Sequence, residues 1–380
     1  MADLNRIFKK SLMDLTHERH GGEIHAISSE AREGNILDYS TNINPLISTD
    51  IFKNLLEKSL NSILLYPDSN STTVKNALVK YFGNSLSPDN LLIGAGSMEL
   101  IRLFCDMFLV EKDEVIVVHP TFTEYDWAIK RNNCKVVNAW REEKNDFLLK
   151  SEKVLEKVSS KTKIIIMCNP NNPNGALDDS KEILTIIETA SEKNILVFLD
   201  EAFIEFTGEH NSFKNKINQY NNIFIARSFT KFFGLPGLRI GFGISTPEII
   251  QYLKNGQELW PVNCIAQECA QHVLNNGTLI EKTRQLIQTE KEYLLNFLNQ
   301  YPDLKIYPSD SNFFLINTRK MGITARSIKN ALLQEGILIR DCSNYKGLDE
   351  FFFRISIKER ESNEKLIMSL KNVLNLKIKK

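Results

Sequence analysis

The residues best suited to chemistry lie in one short stretch around Lys231. Positions 227–239 read Arg-Ser-Phe-Thr-Lys-Phe-Phe-Gly-Leu-Pro-Gly-Leu-Arg and follow an apolar run that predicts a strand. A lysine in a confined turn can condense with an aldehyde, because burial lowers the pKa of its amine. Ser228, Thr230 and Arg239 supply two hydroxyls and a guanidinium, which suit an anion such as a phosphate. A solvated surface lysine is the alternative interpretation of this stretch taken alone.

Polar residues also follow the two preceding predicted strands. The apolar run 163–167 ends in Cys-Asn-Pro-Asn-Asn-Pro-Asn-Gly, which contains Asn172, and the run 194–199 ends in Asp200. In parallel sheets, ligands bind where the carboxyl ends of the strands meet the following loops. Asp200 would pair with a pyridine nitrogen, and Asn172 would hydrogen-bond a phenolic oxygen of the same ring. Together with Lys231 they predict a pyridoxal phosphate site.

Two earlier strand exits could complete this site. A short strand near residue 91 leads through a glycine turn into a helix from about Ser97, so the amides of Gly96, Ser97 and Met98 could bind the cofactor phosphate. The strand 114–118 leads to Phe122, the first candidate for stacking on the ring, with Tyr125 as the second. The alternatives are structural, namely glycines that only shape a turn and aromatic side chains that belong to the core.

Composition excludes several classes of function. Lys plus Arg and Asp plus Glu both number 47 in 380 residues, so no net charge favours a nucleic acid or an anionic membrane. No apolar run approaches the ~20 residues of a membrane span, and the N-terminus lacks the apolar core of a signal peptide, so we expect a cytoplasmic protein. The six cysteines show neither CxxC nor zinc spacing, which predicts reduced, mostly buried thiols and no metal.

Continuous apolar strands that alternate with helices predict an α/β fold with a mostly parallel sheet covered by helices. Apolar residues at helical spacing over 3–16 predict an amphipathic N-terminal helix that docks on the protein. A long helical region spans about 263–300, and shorter strands and helices beyond it predict a smaller α+β unit. We therefore divide the chain into an N-terminal helix and substrate-contacting segment (1–48), a large cofactor-binding domain (49–285) and a small domain (286–380).

These motifs resemble the fold type I pyridoxal phosphate-dependent enzymes of the aminotransferase class. The Asn-Pro-Asn-Asn-Pro-Asn-Gly, Asp-Glu-Ala-Phe and Ser-Phe-Thr-Lys motifs are typical of that whole class. His-Gly-Gly at 20–22 and Arg-Asp-Cys-Ser-Asn-Tyr at 340–345 look most like the L-threonine-O-3-phosphate decarboxylase family of cobalamin biosynthesis. The related histidinol-phosphate aminotransferases are the second hypothesis. A pyridoxal phosphate-dependent transcription regulator is the third, and the short stretch before His20 disfavours it.

The resemblance also implies a substrate and its contacts. The substrate would be a small phosphorylated amino acid, with Arg354 on its carboxylate and Arg340, His20 and Gly21 near its phosphate. Related aminotransferases generally carry a tyrosine at the position of Phe203, whose ring has no hydroxyl to donate. For Arg340, a structural salt bridge is the alternative. The resemblance further implies a homodimer in which Tyr66 reaches the partner's cofactor phosphate. The full implied substrate-binding set is His20, Gly21, Asn42, Asn172, Arg340 and Arg354.

Overall fold

The computed structural model describes residues 7–13, 15–18, 20–22, 24 and 36–378. Positions 3–6 and 14 of the predicted N-terminal helix lie outside the described residues, and the described part contains one short helix. The helices of the described residues are α1 (Lys10–Met13), α2 (Lys53–Ser59), α3 (Thr72–Tyr81), α4 (Ser97–Phe108), α5 (Glu124–Lys130), α6 (Ser151–Leu155), α7 (Ser180–Glu192), α8 (Pro247–Gly256), α9 (Cys264–Leu274), α10 (Gly277–Leu298), α11 (Ala325–Gln334) and α12 (Arg360–Ile378). The strands are β1 (Leu37–Asp38), β2 (Leu91–Gly94), β3 (Glu114–His119), β4 (Lys135–Trp140), β5 (Thr162–Cys168), β6 (Leu196–Asp200), β7 (Ile223–Ser228), β8 (Gly241–Ile244), β9 (Lys305–Ile306), β10 (Phe313–Asn317), β11 (Ile337–Leu338), β12 (Arg340–Asp341) and β13 (Phe352–Ser356).

A seven-stranded sheet forms the larger part of the fold. Its order is β2-β8-β7-β6-β5-β3-β4, and β3 to β7 pair in parallel. β8 alone runs antiparallel to both of its neighbours. The mostly parallel sheet with helices confirms the predicted fold class. It also brings the ends of β5, β6 and β7 to the same edge, which is where the candidate side chains begin.

Alternate residues of the central strands fill two separate cores. In β5, Ile165 and Met167 pack in one cluster, whereas Ile164 and Ile166 pack in the other. Successive side chains of a strand point to opposite faces of its sheet, so an unbroken apolar run is what a sheet covered on both faces requires.

Two strands of this sheet were not predicted. β4 is an edge strand whose side chains are mostly exposed or half-buried, so it lacks a continuous apolar run. β8 has only four residues, two of them glycine. A Cβ at Gly243 would lie 2.2 Å from the ring of Phe224, so the glycine there lets the aromatic ring pack directly on the strand.

The C-terminal part contains a second, smaller sheet. Its four antiparallel strands have the order β12-β13-β10-β9. Helix α11 packs on β12, and α12 packs on α11. β1 pairs in parallel with β11, so the N-terminal segment that follows β1 joins this part of the fold. The proposed boundaries at 48 and 285 stay a prediction, and the second lies inside the continuous helix α10.

Helix α10 connects the two parts through hydrogen bonds at both of its halves. Near its start, Arg284 Nε donates to the carbonyl of Glu205 at 2.8 Å. Further along, Glu290 accepts from Asn363 Nδ2 at 2.9 Å and pairs with Arg360 at 2.9 Å. The first contact is with the short 3-10 turn that follows β6 and the others are with α12, so a single helix is fixed to both parts.

Two findings concern the cysteines and the apolar character of the helices. All six cysteines are unpaired, and five of them are buried, as predicted. None of the helices in the described part of the chain combines the length and apolar character needed to cross a membrane.

Candidate active site

A cavity of about 230 Å³ opens where the strands of the large sheet end. It collects side chains from the ends of β5, β6 and β7, from the start of α4 and from the small sheet. Most of the predicted site residues line it: His20, Gly21, Asn42, Ser97, Met98, Phe122, Asn172, Asp200, Ser228, Thr230, Lys231, Arg239 and Arg354. Ser40, Thr41, Cys168, Ala202, Phe203 and Tyr345 also line it.

Lys231 lies in the turn after β7. Burial lowers the pKa of its amine to about 8, and the positive charges of Arg354 and Arg239 act in the same direction. The backbone is held as well, because the amide of Asn44 donates to the carbonyl of Lys231 at 3.0 Å. The free amine, which condensation with an aldehyde requires, is therefore far more populated near neutral pH than in an ordinary lysine.

Asp200 is the last residue of β6 and is buried. Its carboxylate accepts from the hydroxyl of Tyr125 at 2.7 Å and from the amide of Ala202 at 3.0 Å. Burial nevertheless raises the pKa of Asp200 to about 6. A cationic partner such as a protonated pyridine nitrogen would stabilise the ionised form. Tyr125 thus orients the acid instead of stacking on a ring, which corrects its interpretation as the second stacking candidate.

Hydroxyl and guanidinium groups converge at the other end of the cavity floor. Ser228 Oγ donates to Thr230 Oγ1 at 2.8 Å and accepts from the amide of Thr230 at 3.1 Å. Helix α4 begins at Ser97, and the first amides of a helix have no acceptor within it. Arg239 is fixed by a 3.1 Å hydrogen bond to the carbonyl of Pro236. These groups could hold a phosphate.

Gly96 was predicted to bind the cofactor phosphate through its amide, but the structure places it differently. It is not among the described residues that line the cavity, and its amide donates to the carbonyl of Gly94 at 2.8 Å. Its φ of 85° and its proximity to Arg239 explain why glycine is needed, since a Cβ would lie 2.7 Å from Arg239 Nη2. Gly96 therefore makes room for the guanidinium, and the amides of Ser97 and Met98 remain the predicted phosphate donors.

Arg354 projects from β13 of the small sheet and is buried. Nη1 donates to Asn172 Oδ1 at 2.5 Å and Nη2 to the carbonyl of Ser40 at 2.9 Å. Tyr345 also donates to Asn172 Oδ1, at 3.2 Å. With its oxygen engaged by these donors, Asn172 keeps its amide nitrogen to donate to a ring oxygen.

His20 and Gly21 reach the cavity from the N-terminal segment. His20 Nε2 lies 2.7 Å from Glu124 Oε1, and the His20 ring is 5.4 Å from that of Phe122. A Cβ at Gly21 would lie 2.2 Å from the carbonyl oxygen of Ser40, so only glycine allows this approach. Sequence reasoning missed Glu124, although it stands in the same motif as Phe122.

Besides Gly96, two more predicted residues lie outside the lining of the cavity. Tyr66 is 80% exposed and stacks on Trp260 with ring centroids 4.4 Å apart. Arg340 is buried in a neighbouring cavity, where Nη2 donates to Asn344 Oδ1 at 2.8 Å. Its guanidinium carbon is 5.4 Å from the ring centroid of Tyr345, which does line the first cavity. Arg340 therefore lies beside the first cavity and not in its lining. Its predicted contact with the substrate stays a prediction, as does the predicted contact of Tyr66 with the cofactor phosphate of a partner subunit.

The donors of the cavity fit a phosphorylated ring that carries an aldehyde. The amine of Lys231, the carboxylate of Asp200 and the amide of Asn172 match the three polar positions of such a ring, and the phosphate donors lie at the start of α4. Asn42 Oδ1 and Arg354 Nε are buried without a hydrogen-bond partner in the described chain. Both residues line the cavity, so a ligand could satisfy these two atoms.

The comparisons with known proteins agree with this chemistry. The family described as aminotransferase class I and II matches residues 34–370. Histidinol-phosphate aminotransferase of Methanosphaera stadtmanae is 36% identical over 344 residues, 90% of this chain and 91% of that protein. A provisionally named threonine-phosphate decarboxylase of Caldanaerobacter subterraneus is 36% identical over 350 residues, 90% and 93% of the two chains. The crystal structure of the Clostridium acetobutylicum histidinol-phosphate aminotransferase superposes with a TM-score of 0.83, at 32% identity and over 90% and 100% of the chains.

Proposed function

Because the chain belongs to the pyridoxal phosphate-dependent class I and II aminotransferase family, we propose that it decarboxylates L-threonine O-3-phosphate or L-serine O-phosphate. The products would be carbon dioxide and (R)-1-amino-2-propanol O-phosphate or ethanolamine phosphate, for the cobamide nucleotide loop. The observation that carries the proposal is Phe203, which is buried at the cavity wall 5.0 Å from the ring of Phe313 and donates no hydrogen bond. The related aminotransferases generally have a tyrosine there. The 36% identity to the provisionally named decarboxylase supports the same choice.

Different residues of the chain would hold different parts of the coenzyme. The bound coenzyme supplies an electron-accepting ring for the charge left on the substrate's α-carbon. Lys231 would attach to its aldehyde and, once displaced by substrate, carry the proton to that carbon. Asp200 would keep the ring nitrogen protonated, with Tyr125 orienting the carboxylate. Phe122 would pack on the ring, while the amides of Ser97 and Met98, together with Ser228, Thr230 and Arg239, would hold the phosphate.

Orientation of the substrate would select the reaction. The bond that breaks is the one held perpendicular to the ring, so the site chooses between decarboxylation and transamination by turning the substrate. Arg354, already fixed by Asn172 and Ser40, would bind the carboxylate by two parallel bonds. His20 and Gly21 would meet the phosphate from the N-terminal side, and Asn42 would contact the substrate through its unpaired oxygen. Arg340 would support Tyr345.

Histidinol-phosphate aminotransferase is the second candidate. A relative at 36% identity and a solved structure at 32% identity carry that name. Its reaction requires a 2-oxo acid as amino acceptor, whereas decarboxylation requires none. The chemistry of the products therefore separates the two candidates.

One experiment tests both candidates. The purified holoenzyme is incubated with each phospho-amino acid in the absence of a 2-oxo acid, and carbon dioxide and the phosphorylated amine are measured. Histidinol phosphate with 2-oxoglutarate is tested in parallel, and glutamate is measured. We expect carbon dioxide in the first reactions. Glutamate formation without carbon dioxide from either phospho-amino acid would replace the proposal by the aminotransferase.

We also propose that two copies of this chain form a homodimer through an apolar face around Tyr66. The residues of this face are strongly exposed, with Leu64 at 85%, Leu65 at 71% and Leu259 at 73%. Clustered apolar side chains of this kind mark interaction sites. Tyr66 belongs to this face and would reach the partner's cofactor phosphate. Sedimentation of Leu64→Glu should show a monomer, and a wild-type monomer at micromolar concentration would contradict the proposal.

A further inference from the structure

Glu124 forms a bridge between two histidines, one of which lines the active cavity. Its Oε1 lies 2.7 Å from His20 Nε2, and its Oε2 lies 2.7 Å from His17 Nδ1. The carboxylate is 4% exposed, whereas the two imidazoles are 37% and 58% exposed. Glu124 is the first residue of α5, two positions after the cavity residue Phe122, so it is anchored to the large sheet.

The bridge determines which atom of His20 is available to a ligand. Burial acts to raise the pKa of Glu124, but hydrogen bonds from His20 and His17 outweigh it and hold the pKa below its usual value. An ionised carboxylate only accepts, so His20 Nε2 carries a hydrogen and donates it to Glu124. Nδ1 is then the remaining polar atom of the ring, and it donates to an anion in the imidazolium form.

Further contacts hold the same segment, which we call the N-terminal strap (residues 15–18 and 20–22). The ring of His17 stacks on that of Trp127 in α5 with centroids 4.4 Å apart. The amide of Gly22 donates to Ser40 Oγ at 2.9 Å. His20 is thus fixed by α5 through its ring and by the segment after β1 through the following glycines. Few rotations are left to its ring, which reduces the entropy lost when a ligand binds.

A substrate that carries both a carboxylate and a phosphate needs two anion-binding groups in the cavity. Among the described residues that line it, the side chains able to carry positive charge are His20, Lys231, Arg239 and Arg354. The coenzyme would engage Lys231 and Arg239, and the carboxylate of an amino acid would engage Arg354. A phosphate at the other end of the substrate is therefore left to His20 and to backbone amides.

We propose that Glu124 is a positioning residue that fixes His20 for the substrate's phosphate and so makes the enzyme selective for phosphorylated amino acids. The proposal rests on the function proposed above only in the choice of substrate. Glu124 itself would touch neither the substrate nor the coenzyme. Its effect should therefore depend on whether the ligand carries a phosphate.

The test measures ligand binding to the holoenzyme, and the change in coenzyme absorbance reports the binding. We expect Glu124→Gln to weaken the binding of L-threonine O-phosphate about 10-fold, since the hydrogen bond from His20 loses its ionised acceptor. Binding of L-threonine, which lacks the phosphate, should change by less than about 2-fold. Glu182→Gln is the matched control, because it removes a carboxylate that accepts from Ser151 and does not line the cavity. It should resemble the wild type.

A double-mutant cycle separates positioning from a general structural role. If Glu124 acts through His20, adding Glu124→Gln to His20→Asn should weaken phosphate binding no further than His20→Asn alone. Additive effects, or equal weakening for L-threonine and its phosphate ester, would overturn the proposal. Glu124→Asp keeps the charge but shortens the side chain by one methylene, and unchanged phosphate binding in that variant would also overturn it.

Failure of the proposed function would look different. The binding measurement needs no turnover, and histidinol phosphate and inorganic phosphate serve as further probes. Binding of any phosphate ligand that depends on Glu124, without release of carbon dioxide, would support the positioning role and refute the decarboxylase. A wild-type holoenzyme in which no phosphate ligand binds more tightly than its unphosphorylated counterpart would refute the positioning role directly.

Discussion

The two ends of the cavity are built in different ways. At the coenzyme end, Asp200 and Ser228 terminate neighbouring parallel strands, and Lys231 follows three residues later. At the substrate end, His20, Asn172 and Arg354 come from the N-terminal strap, a loop of the large sheet and a strand of the small sheet. The first end depends on strand pairing within one sheet. The second depends on how separate parts of the fold meet, so specificity can change there while the coenzyme site is preserved.

Lys231→Ala removes the amine on which both ends of the cavity depend, and it should have the largest effect. Removal of the amine abolishes the covalent link to the coenzyme and the proton carrier, so we expect turnover to fall by roughly 10³-fold or more. Reduction of the wild-type holoenzyme with borohydride should give a stable adduct at Lys231, and the variant should give none. Lys135→Ala, which removes an exposed lysine paired with Glu114, is the control. A trapped adduct at another lysine would contradict the assignment.

Arg354→Lys should affect the substrate end alone. A lysine cannot bond Asn172, Ser40 and a carboxylate at once, because it lacks the planar fork of arginine. We expect kcat/KM for the phospho-amino acid to fall about 100-fold, because a charge-assisted hydrogen bond to the carboxylate is lost while the positive charge remains. The coenzyme absorbance band of Arg354→Lys should not change. Arg360→Lys is the control and should leave kcat/KM at the wild-type value. If Arg354→Lys releases the coenzyme, the two ends are not independent.

Tyr125→Phe should produce a smaller change confined to the coenzyme end. Burial already raises the pKa of Asp200 to about 6, and the hydrogen bond from Tyr125 opposes that rise. Without the hydroxyl the pKa rises further, so the ionised form that pairs with the ring nitrogen is lost at a higher pH as the solution is acidified. We expect the acid limb of kcat/KM to move up by about one pH unit. Tyr252→Phe, whose hydroxyl bonds the carbonyl of Met107, should leave the profile unchanged.

The same contrast explains what could be predicted from the sequence. Lys231, Asp200 and Asn172 were identifiable because each follows an apolar run, and the ends of parallel strands must share an edge. The contact between Tyr125 and Asp200 joins residues 75 positions apart, and no local pattern records which way the hydroxyl points. Tyr125 was therefore placed among the aromatic residues that could stack on the ring.

Charge relations between distant segments were the least predictable. Glu124 stands in a recognisable motif, yet its histidine partners lie 104 and 107 positions away in a segment with no regular structure of its own. Arg340 and Arg354 face each other across paired strands, but only Arg354 lines the cavity. Strand periodicity places two residues on one sheet without deciding which cavity each side chain enters. That depends on neighbours such as Tyr345.

Helix α10 gives this architecture a mechanical consequence. Its 22 residues span about 33 Å, and hydrogen bonds join its first half to the turn after β6 and its second half to α12. Because each residue advances the helix by about 100°, a single inserted residue between Arg284 and Glu290 would rotate the contacts of Arg284 relative to those of Glu290 by nearly a third of a turn. The length of this helix therefore determines how Arg354 of the small sheet is oriented toward Lys231. Homologous chains of this architecture should tolerate length changes in their loops far more readily than within this helix.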